Sequence, residues 1–315
     1  MNKPIRIVAV LSAAAMLAAC GSKPLPQPAA VTHSRDAMSL GMQAYNDNRY
    51  LEARGYFERA LVQYRSVDDR TGQLDTLVDL ADSALGQGDY AAANSYLADA
   101  DTILANGASG TIAAHVALLH AYADMQAGDK QQAVIRLDKL LDDAATAPDI
   151  HQAALFARSQ CAFDLGAADA AQWLDKLAAA LGKQSNTLAN ARYQRLQALD
   201  ARKHGDSQKA AALYQSALDS YRSSYYRPGI AATLEEWADL LITRNDWAGA
   251  HDRLHRALNI RLWLYDRRHS VRDLENLSQV DTHLGDAAAA KQDMELADYL
   301  KNGGNPEQLP AQTRQ

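Results

Sequence analysis

The stretch that decides the fold is LADSALGQGDYAAANSYLADAD, at residues 80–101. The same pattern precedes it as LGMQAYNDNRYLEARGYFERAL, at residues 40–61, and follows it as HAYADMQAGDKQQAVIRLDKLL, at residues 120–141. Fainter or equal copies lie around Gly166, Gly205, Asp246 and Gly285. Successive copies are separated by about 40 residues, a period that is typical of a stacked array of helices.

Each copy predicts two amphipathic helices, because its apolar residues recur at intervals of three and four and never alternate as in a strand. Small residues occupy fixed positions where the helices would approach closely: Gly41, Ala81, Ala121, Ala198 and Ala238 on the first helix, and Ala53, Ala93, Ala133, Ala210 and Ala250 on the second. Larger apolar residues are expected to fill the space between them: Phe57, Leu97, Leu137, Tyr214, Leu254 and Met294.

A short polar turn separates the two helices of a copy, written GQGDY, QAGDK, KHGDS, TRNDW or HLGDA. Glycine or asparagine can take the left-handed conformation that ends one helix, and the aspartate can cap the next. Each copy is therefore predicted to be an antiparallel helix pair. The fourth copy, GAADAAQWLDKL, fits this pattern better if its turn is one residue shorter.

The repeated residues resemble the tetratricopeptide repeat over residues 34–300. The resemblance is carried by Leu40, Gly41, Tyr45, Tyr50, Ala53, Phe57 and Ala60 in the first copy, and by Gly88, Asp89, Tyr90, Ala93 and Ala100 in the second. It implies an all-α fold, a right-handed superhelical α-solenoid of antiparallel helix pairs that forms one domain. The copies are longer than the 34 residues of the common repeat. The resemblance also implies a concave face that binds proteins.

The N-terminal residues 1–19 have the features of a signal peptide. Lys3 and Arg6 precede an apolar run from Ile7 to Ala19, which is too short to span a bilayer comfortably. The following Leu17-Ala18-Ala19-Cys20 resembles the lipobox of bacterial lipoproteins, which implies a lipid on Cys20; an ordinary secretory cleavage site is the alternative. Because Gly21 is not the aspartate of the inner-membrane retention signal, we expect an outer-membrane anchor facing the periplasm.

Two segments are predicted to lie outside the folded array. Residues 20–33 comprise the lipidated cysteine and a Pro-rich sequence that cannot bury a core, so we expect a disordered tether. Residues 301–315 contain Gly303, Gly304 and Pro306, which would stop the last helix and begin a disordered tail. If that tail leaves the last helix uncovered, the apolar Tyr299 and Leu300 offer an alternative docking surface.

The composition argues against nucleic acid as a partner, since the chain has a formal net charge of −6 and no basic stretch interleaved with aromatic residues. HDRLH, at residues 251–255, is similar to a zinc-protease motif and keeps a helical zinc hydrolase using His251 and His255 as a remote alternative. His251 and His255 stand at positions that are polar and variable in the other copies, which indicates that they lie on an exposed helix face. We predict no catalytic residue, metal site or cofactor, and a non-enzymatic protein.

The first helices of the copies are expected to line the concave face of the array. The predicted partner-binding residues on this face are Leu118, Tyr122, Phe156, Gln160, Arg192, Arg195 and Arg202. This surface would be apolar in the middle, basic beside it and acidic towards Glu235 and Asp239. It suits an extended or helical segment that carries apolar anchors and a carboxylate, with arginine as the donor.

These features together predict a lipid-anchored periplasmic scaffold that binds an envelope protein. Similar lipoproteins serve pilus or secretion assembly, peptidoglycan hydrolases or outer-membrane assembly machinery. A binder of cell-wall glycan or peptide, using the Tyr122, Phe156 and Arg195 region, is the alternative within the binding class.

Replacement of Cys20 tests the anchor. Cys20→Ser removes the thiol that would carry the diacylglycerol, so the protein should leave the membrane fraction and lose the mass of its acyl chains. Cell fractionation and intact-mass spectrometry measure both effects. Equal mass and equal membrane partition for the wild type and the variant would contradict lipidation.

Overall fold

The computed structural model describes residues 29–107, 111–182 and 186–309. Within these ranges the chain forms fourteen α-helices, one short 3₁₀-helix and no strand, as the all-α prediction required. The helices are α1 (Ala29–Asn46), α2 (Tyr50–Ser66), α3 (Arg70–Gly86), α4 (Tyr90–Ala105), α5 (Thr111–Ala127), α6 (Lys130–Asp142), α7 (Pro148–Asp164), α8 (Ala170–Leu181), α9 (Thr187–Lys203), α10 (Ser207–Ser223), α11 (Arg227–Thr243), α12 (Trp247–Trp263), α13 (Arg267–Leu284) and α14 (Ala287–Lys301).

Consecutive helices pack in pairs, from α1 with α2 to α13 with α14, and form seven units. In the described ranges, the substantial contacts between non-consecutive helices all join odd-numbered ones: α3 with α5, α5 with α7, α7 with α9, and α9 with α11. The odd-numbered helices are therefore the more crowded layer. In a curved stack the crowded layer is the inner one, so these helices line the concave side.

Small residues lie at the helix crossings, as the repeat pattern predicts. Ala53, Ala93, Ala133, Ala210 and Ala250 are completely buried. At Gly41 a side chain would overlap the ring of Phe57, so only glycine allows this approach. Met294 differs from its predicted role: it is 39% exposed, because α14 has no following unit to pack against.

The turns within the units have the predicted chemistry. Positive φ angles occur at Asn48, Gly88, Gly128, Gly166, Gly205, Asn245 and Gly285. Asp89, Asp129, Asp206, Asp246 and Asp286 each accept a hydrogen bond from a backbone N–H in the first turn of the next helix. Such caps satisfy amides that the helix itself leaves unpaired.

The register of the fourth unit is one residue shorter, as predicted, but the turn itself is longer: residues 165–169 separate α7 from α8, whereas residues 87–89 separate α3 from α4. In the other units the small buried residue of the second helix stands five positions after the positive-φ residue, as Ala93 does after Gly88. In the fourth unit the buried Ala170 follows Gly166 by four positions. The lost residue disturbs the helix start, because Asp169 makes no side-chain capping bond and α8 begins only at Ala170.

The two ends of the array differ from the predicted boundaries. Helix α1 begins at Ala29, inside the segment predicted to be a tether; alanine is the strongest helix former, and two alanines lie here. At the other end, Leu309 is buried in the core of the last unit, beside Leu300. Tyr299 donates a hydrogen bond to Gln308 (3.0 Å) and accepts one from the Asn305 backbone (3.1 Å).

The proposed apolar docking surface at Leu300 is therefore covered by the chain's own tail. Leu300 is fully buried, and the folded part of the tail runs to Leu309. The leader, Cys20 and residues 310–315 lie outside the described residues.

The array curves until its first two units touch its last units. The Asn48 side-chain amide donates to the Tyr225 carbonyl (3.2 Å), and Arg227 donates to the Asp47 carbonyl (3.0 Å). Arg268 stacks over the ring of Tyr90, with 4.9 Å from the guanidinium carbon to the ring centre. We call the whole set of contacts between the first two and the last two units the seam. It joins the turns at residues 47–49 and 87–89 to those at 225–227 and 264–268.

The seam is tight at Gly88. A methyl group on this residue would come within 2.5 Å of the Asp266 carboxylate, so the approach requires glycine. On the opposite side Tyr225 and Tyr265 have φ angles of 52° and 58°, a left-handed conformation. Asp68 has a φ of 51° in the equivalent turn before α3, away from the seam, so this conformation belongs to the turn between units.

Overpacking of a helix crossing tests the packing account. Ala133→Leu should lower the free energy of unfolding by roughly 1–3 kcal/mol, because the completely buried site has no room for added carbons. Urea unfolding followed by circular dichroism measures the loss. Ala98→Leu, on the exposed side of α4, is the matched control and should change stability by less than about 0.5 kcal/mol. Equal effects would contradict the assigned crossing.

Candidate binding surfaces

The three arginines of α9 lie in one row on the inner side of the array, but two of them have acidic partners. Arg195 donates to Gln160 Oε1 (2.9 Å), and its Nη1 lies 3.7 Å from Glu236 Oε1. The Nη1 of Arg202 lies 3.7 Å from Asp239 Oδ2. The predicted basic and acidic patches of the concave face therefore pair with each other, unit to unit.

Arg192 differs from its two neighbours. Within the described residues no carboxylate lies within ion-pair distance of its guanidinium, although its charge acts on the more distant Asp82. The guanidinium is hydrogen-bonded to the Tyr226 side chain and lies 5.9 Å from the centre of the Phe156 ring and 5.6 Å from that of Tyr226. Aromatic faces stabilise a cation without using all of its five N–H donors. Arg192 is thus the member of the row that keeps capacity to bind a carboxylate.

Acidic residues of α3 occupy the same interior. Asp82 accepts a short hydrogen bond from the Tyr45 hydroxyl (2.6 Å). Burial raises the pKa of Asp79 to about 7, with the charges of Asp82 and Asp75 adding to the effect. Burial likewise raises the pKa of Asp82, against the opposing hydrogen bond from Tyr45. The interior therefore holds one acid, Asp79, that exchanges its proton near neutral pH, and a second, Asp82, whose pKa is raised.

The remaining predicted residues divide between core and surface. Leu118 is 3% exposed and packs in the core of α5, α6 and α7, so its prediction as a partner contact is corrected: the side chain points between helices. Tyr122 is half-buried. Phe156 is 7% exposed and packs in the core of α7, α8 and α9, so its prediction as a direct partner contact is corrected as well; its ring lies below the Arg192 guanidinium. Gln160 holds Arg195 and also donates to Asp164 (2.8 Å).

The histidine pair of α12 lies beside one carboxylate, that of Asp281. The rings of His251 and His255 stack with centres 6.1 Å apart, and His251 Nε2 lies 3.3 Å from Asp281 Oδ1. Across the described residues no three histidine, cysteine or acidic side chains are grouped so as to hold a metal ion. The arrangement gives no support to the zinc-hydrolase alternative.

A buried ion network connects α11, α12 and α13 to the seam. Arg261 donates to Glu235 (2.6 Å) and to Asp266 (3.1 Å), Arg272 donates to Glu235, and His269 Nδ1 lies 2.7 Å from Asp266. Burial alone would raise the pKa of Glu235, but Arg261 and Arg272 outweigh it and lower that pKa to about 2. The network fixes Asp266 where Gly88 meets it.

Sequence reasoning missed the seam, although one signal was present. The turn Tyr225-Tyr226-Arg227 and the turn Tyr265-Asp266-Arg267 share a tyrosine and an arginine at equivalent positions of successive units. Both turns meet the beginning of the array. The matching residues therefore mark the two turns of the last units that contact the first units.

Two adjoining cavities open at the seam, with volumes of about 600 and 630 Å³. Leu51, Tyr265 and Pro306 line both of them, so they form one continuous groove. We call it the seam groove. One end is basic and is lined by Arg54, Arg267, Arg268 and Lys301. The other end is largely apolar and is lined by Leu262, Trp263 and Leu264.

None of the helices in the described ranges combines the length and the apolar character needed to cross a bilayer.

Comparison with known proteins agrees with the fold. Residues 33–104 match the family model of the tetratricopeptide repeat. Comparison with curated proteins gives no match. Among solved structures, a Rap protein complexed with competence and sporulation factor is 16% identical; the match covers 88% of this chain and 77% of that one, with a TM-score of 0.61.

Two further solved structures match over most of their length. BtubC (BKLC) from P. vanneervenii is 14% identical over 88% of this chain and 92% of that one, with a TM-score of 0.43. A tetratricopeptide repeat protein from Parabacteroides merdae is 14% identical over 85% and 99%, with a TM-score of 0.45. The family match and the structure of the Rap protein agree with a TPR-like α-solenoid.

The raised pKa of Asp79 gives a pH-dependent prediction. The folded state holds the proton of the Asp79 carboxyl more tightly than the unfolded chain does. Protonated Asp79 therefore favours the folded state fully below about pH 4, and this contribution to the free energy of unfolding is lost as the pH rises to about 7. Asp79→Asn has no charge to bury, so the variant should be more stable than the wild type by about 1–2 kcal/mol at pH 8 and equal to it near pH 4.

Thermal and urea unfolding at the two pH values measure this difference. Asp36→Asn, at an exposed site on α1, is the control and should show little change at either pH. A difference between Asp79→Asn and the wild type that is the same at pH 4 and pH 8 would contradict the buried acid.

Proposed function

We propose that this protein is a non-enzymatic scaffold in the bacterial envelope that holds a partner protein against the inner surface of its helical array. The observation that carries the proposal is Arg192, a cation placed between the rings of Phe156 and Tyr226 with no carboxylate partner among the described residues. A partner carboxylate would gain a charge-assisted hydrogen bond there.

The pairing of the neighbouring charges supports a single anchoring point. Arg195 and Arg202 are engaged by Glu236 and Asp239, so a partner would have to displace existing ion pairs to reach them. Breaking an existing ion pair costs most of the free energy that the new contact with the partner would supply. A carboxylate that binds Arg192 would break no ion pair. We propose Arg192 as the first contact of an extended segment that ends in, or carries, an acidic group.

The solved Rap protein supports binding as the mode of action, since its structure is a complex with competence and sporulation factor. That identity is 16%, so the fold is shared and the ligand is not implied. We propose that the partner here is an envelope protein, and that the lipid on Cys20 keeps the array at the periplasmic face of the outer membrane. Pilus or secretion assembly, peptidoglycan hydrolysis and outer-membrane assembly are the processes in which such a scaffold would act.

Removal of the Arg192 charge tests the interior site. Arg192→Gln should weaken partner capture about tenfold, since a charge-assisted contact in a low-dielectric interior is lost. Crosslinking in intact cells identifies the partner, and titration of purified protein with that partner measures the affinity. Circular dichroism checks that the array remains folded.

Arg59→Gln is the matched control. Arg59 also stacks on an aromatic ring, that of Tyr56 (4.4 Å), but it lies exposed on α2, outside the inner layer. Its loss should leave affinity unchanged. Equal affinities for the Arg192 variant and the wild type at low salt would place the binding surface elsewhere.

A further inference from the structure

The basic end of the seam groove contains more positive charge than the chain neutralises. Arg54 is paired with Asp89 (2.8 Å) and Lys301 with Glu275 (2.6 Å). In the described part of the chain, Arg267 and Arg268 have no carboxylate within ion-pair distance; Arg268 stacks on Tyr90, and Arg267 is exposed. Two unneutralised cations in one cavity are notable in a chain whose net charge is −6. Their placement suits an anionic ligand.

The other end of the groove leaves apolar surface in water. Leu51 is 50% exposed and Trp263 is 43% exposed, and both line the same cavity. Leu51 also lines the basic cavity, so apolar and basic walls adjoin. Clustered apolar side chains at the rim of a cavity are typical of an interaction site.

Two amide oxygens in this groove have no hydrogen-bond donor among the residues that the structure describes. Asn48 and Asn259 line the apolar cavity, and the Oδ1 atom of each is buried without a partner. A buried acceptor without a donor costs free energy that an incoming N–H group would recover. A peptide backbone supplies N–H donors, whereas an acyl chain has none.

The geometry points to the seam groove as a second binding site, for an extended acidic segment of a partner protein. An acidic residue of the segment would contact Arg267 and Arg268, and an adjacent apolar residue would pack on Leu51 and Trp263. Backbone amides would bind the asparagine oxygens. This site is separate from Arg192 and does not depend on the interior proposal.

Binding at this site would also stabilise the closed array. The groove is made by residues of the first two units, such as Leu51 and Arg54, together with Arg267, Arg268 and the C-terminal tail. A ligand that needs both sides binds only when they meet. Its binding therefore stabilises the seam by a free energy that grows with the logarithm of its concentration over its dissociation constant.

A random peptide library tests the proposal and does not require the natural partner to be identified. The library is displayed on phage and selected on the full-length Cys20→Ser protein. We expect enriched peptides to carry an acidic residue next to an aliphatic or aromatic one. Binding of an enriched peptide, measured by fluorescence anisotropy, should weaken about tenfold in Arg267→Ala and in Leu51→Ser, and should weaken with added salt.

Matched variants separate this site from other surfaces. Arg244→Ala removes an exposed arginine from another turn and should leave peptide affinity unchanged, as should Arg192→Gln in the interior. Arg267 has an exposed side chain, so its removal should not unfold the protein; thermal unfolding checks this point. A library without acidic enrichment, or an enriched peptide that binds Arg267→Ala and Leu51→Ser as tightly as the wild type, would overturn the proposal.

Discussion

The close approach of helices at small residues is the constraint on which the rest of the structure depends. Ala53, Ala93, Ala133, Ala210 and Ala250 are completely buried at equivalent crossings, so each second helix approaches its neighbours by the same backbone-to-backbone contact. A fixed contact gives each unit a similar rotation relative to the last, and the rotations accumulate along the array. Their sum brings the turns of the first two units against those of the last.

This accumulated curvature creates both candidate surfaces. On the inner side, consecutive odd-numbered helices approach closely enough for Arg195 to meet Glu236 and for Arg202 to meet Asp239. The charges of neighbouring units thus neutralise one another. Arg192 has no such partner and lies against aromatic rings. On the outer edge, closure places the exposed Leu51 beside Trp263 and Tyr265 and forms a groove that no single unit contains. Both candidate surfaces are in that sense properties of the whole array.

The local structure could be predicted from the sequence, because its causes lie within a few residues. The helix pairs, the left-handed residues at Gly88 and Asn245, the aspartate caps and the shortened register before Ala170 all follow from turn chemistry and apolar spacing. The direction of a single side chain is harder to predict. Leu118 lies next to the inner face, yet a small rotation about the helix axis points it into the core of α5, α6 and α7.

Long-range contacts could not be predicted from one repeat. The seam joins Asn48 to Tyr225 and Gly88 to Asp266, pairs whose approach depends on the summed rotation of all the units between them. A small error in the rotation of one unit would move these turns apart. The pairing of Arg195 and Arg202 was missed for a related reason, since facing charges on consecutive units look like separate patches in the sequence. Leu309 is buried because the tail folds back onto the last unit. Gly303 and Gly304 would equally allow the tail to point away from it.

The closure of the array is tested most directly by a distance between its first and last units. Spin labels at Glu52→Cys and Arg267→Cys, in a Cys20→Ser protein, would be measured by double electron–electron resonance; Cys161 is buried, and burial raises its thiol pKa to about 11, so it resists labelling. The two labelled sites flank the seam groove, and we expect a narrow distribution near two helix diameters, roughly 20 Å. A broad distribution, or one centred several helix diameters further out, would show an open array and contradict the seam.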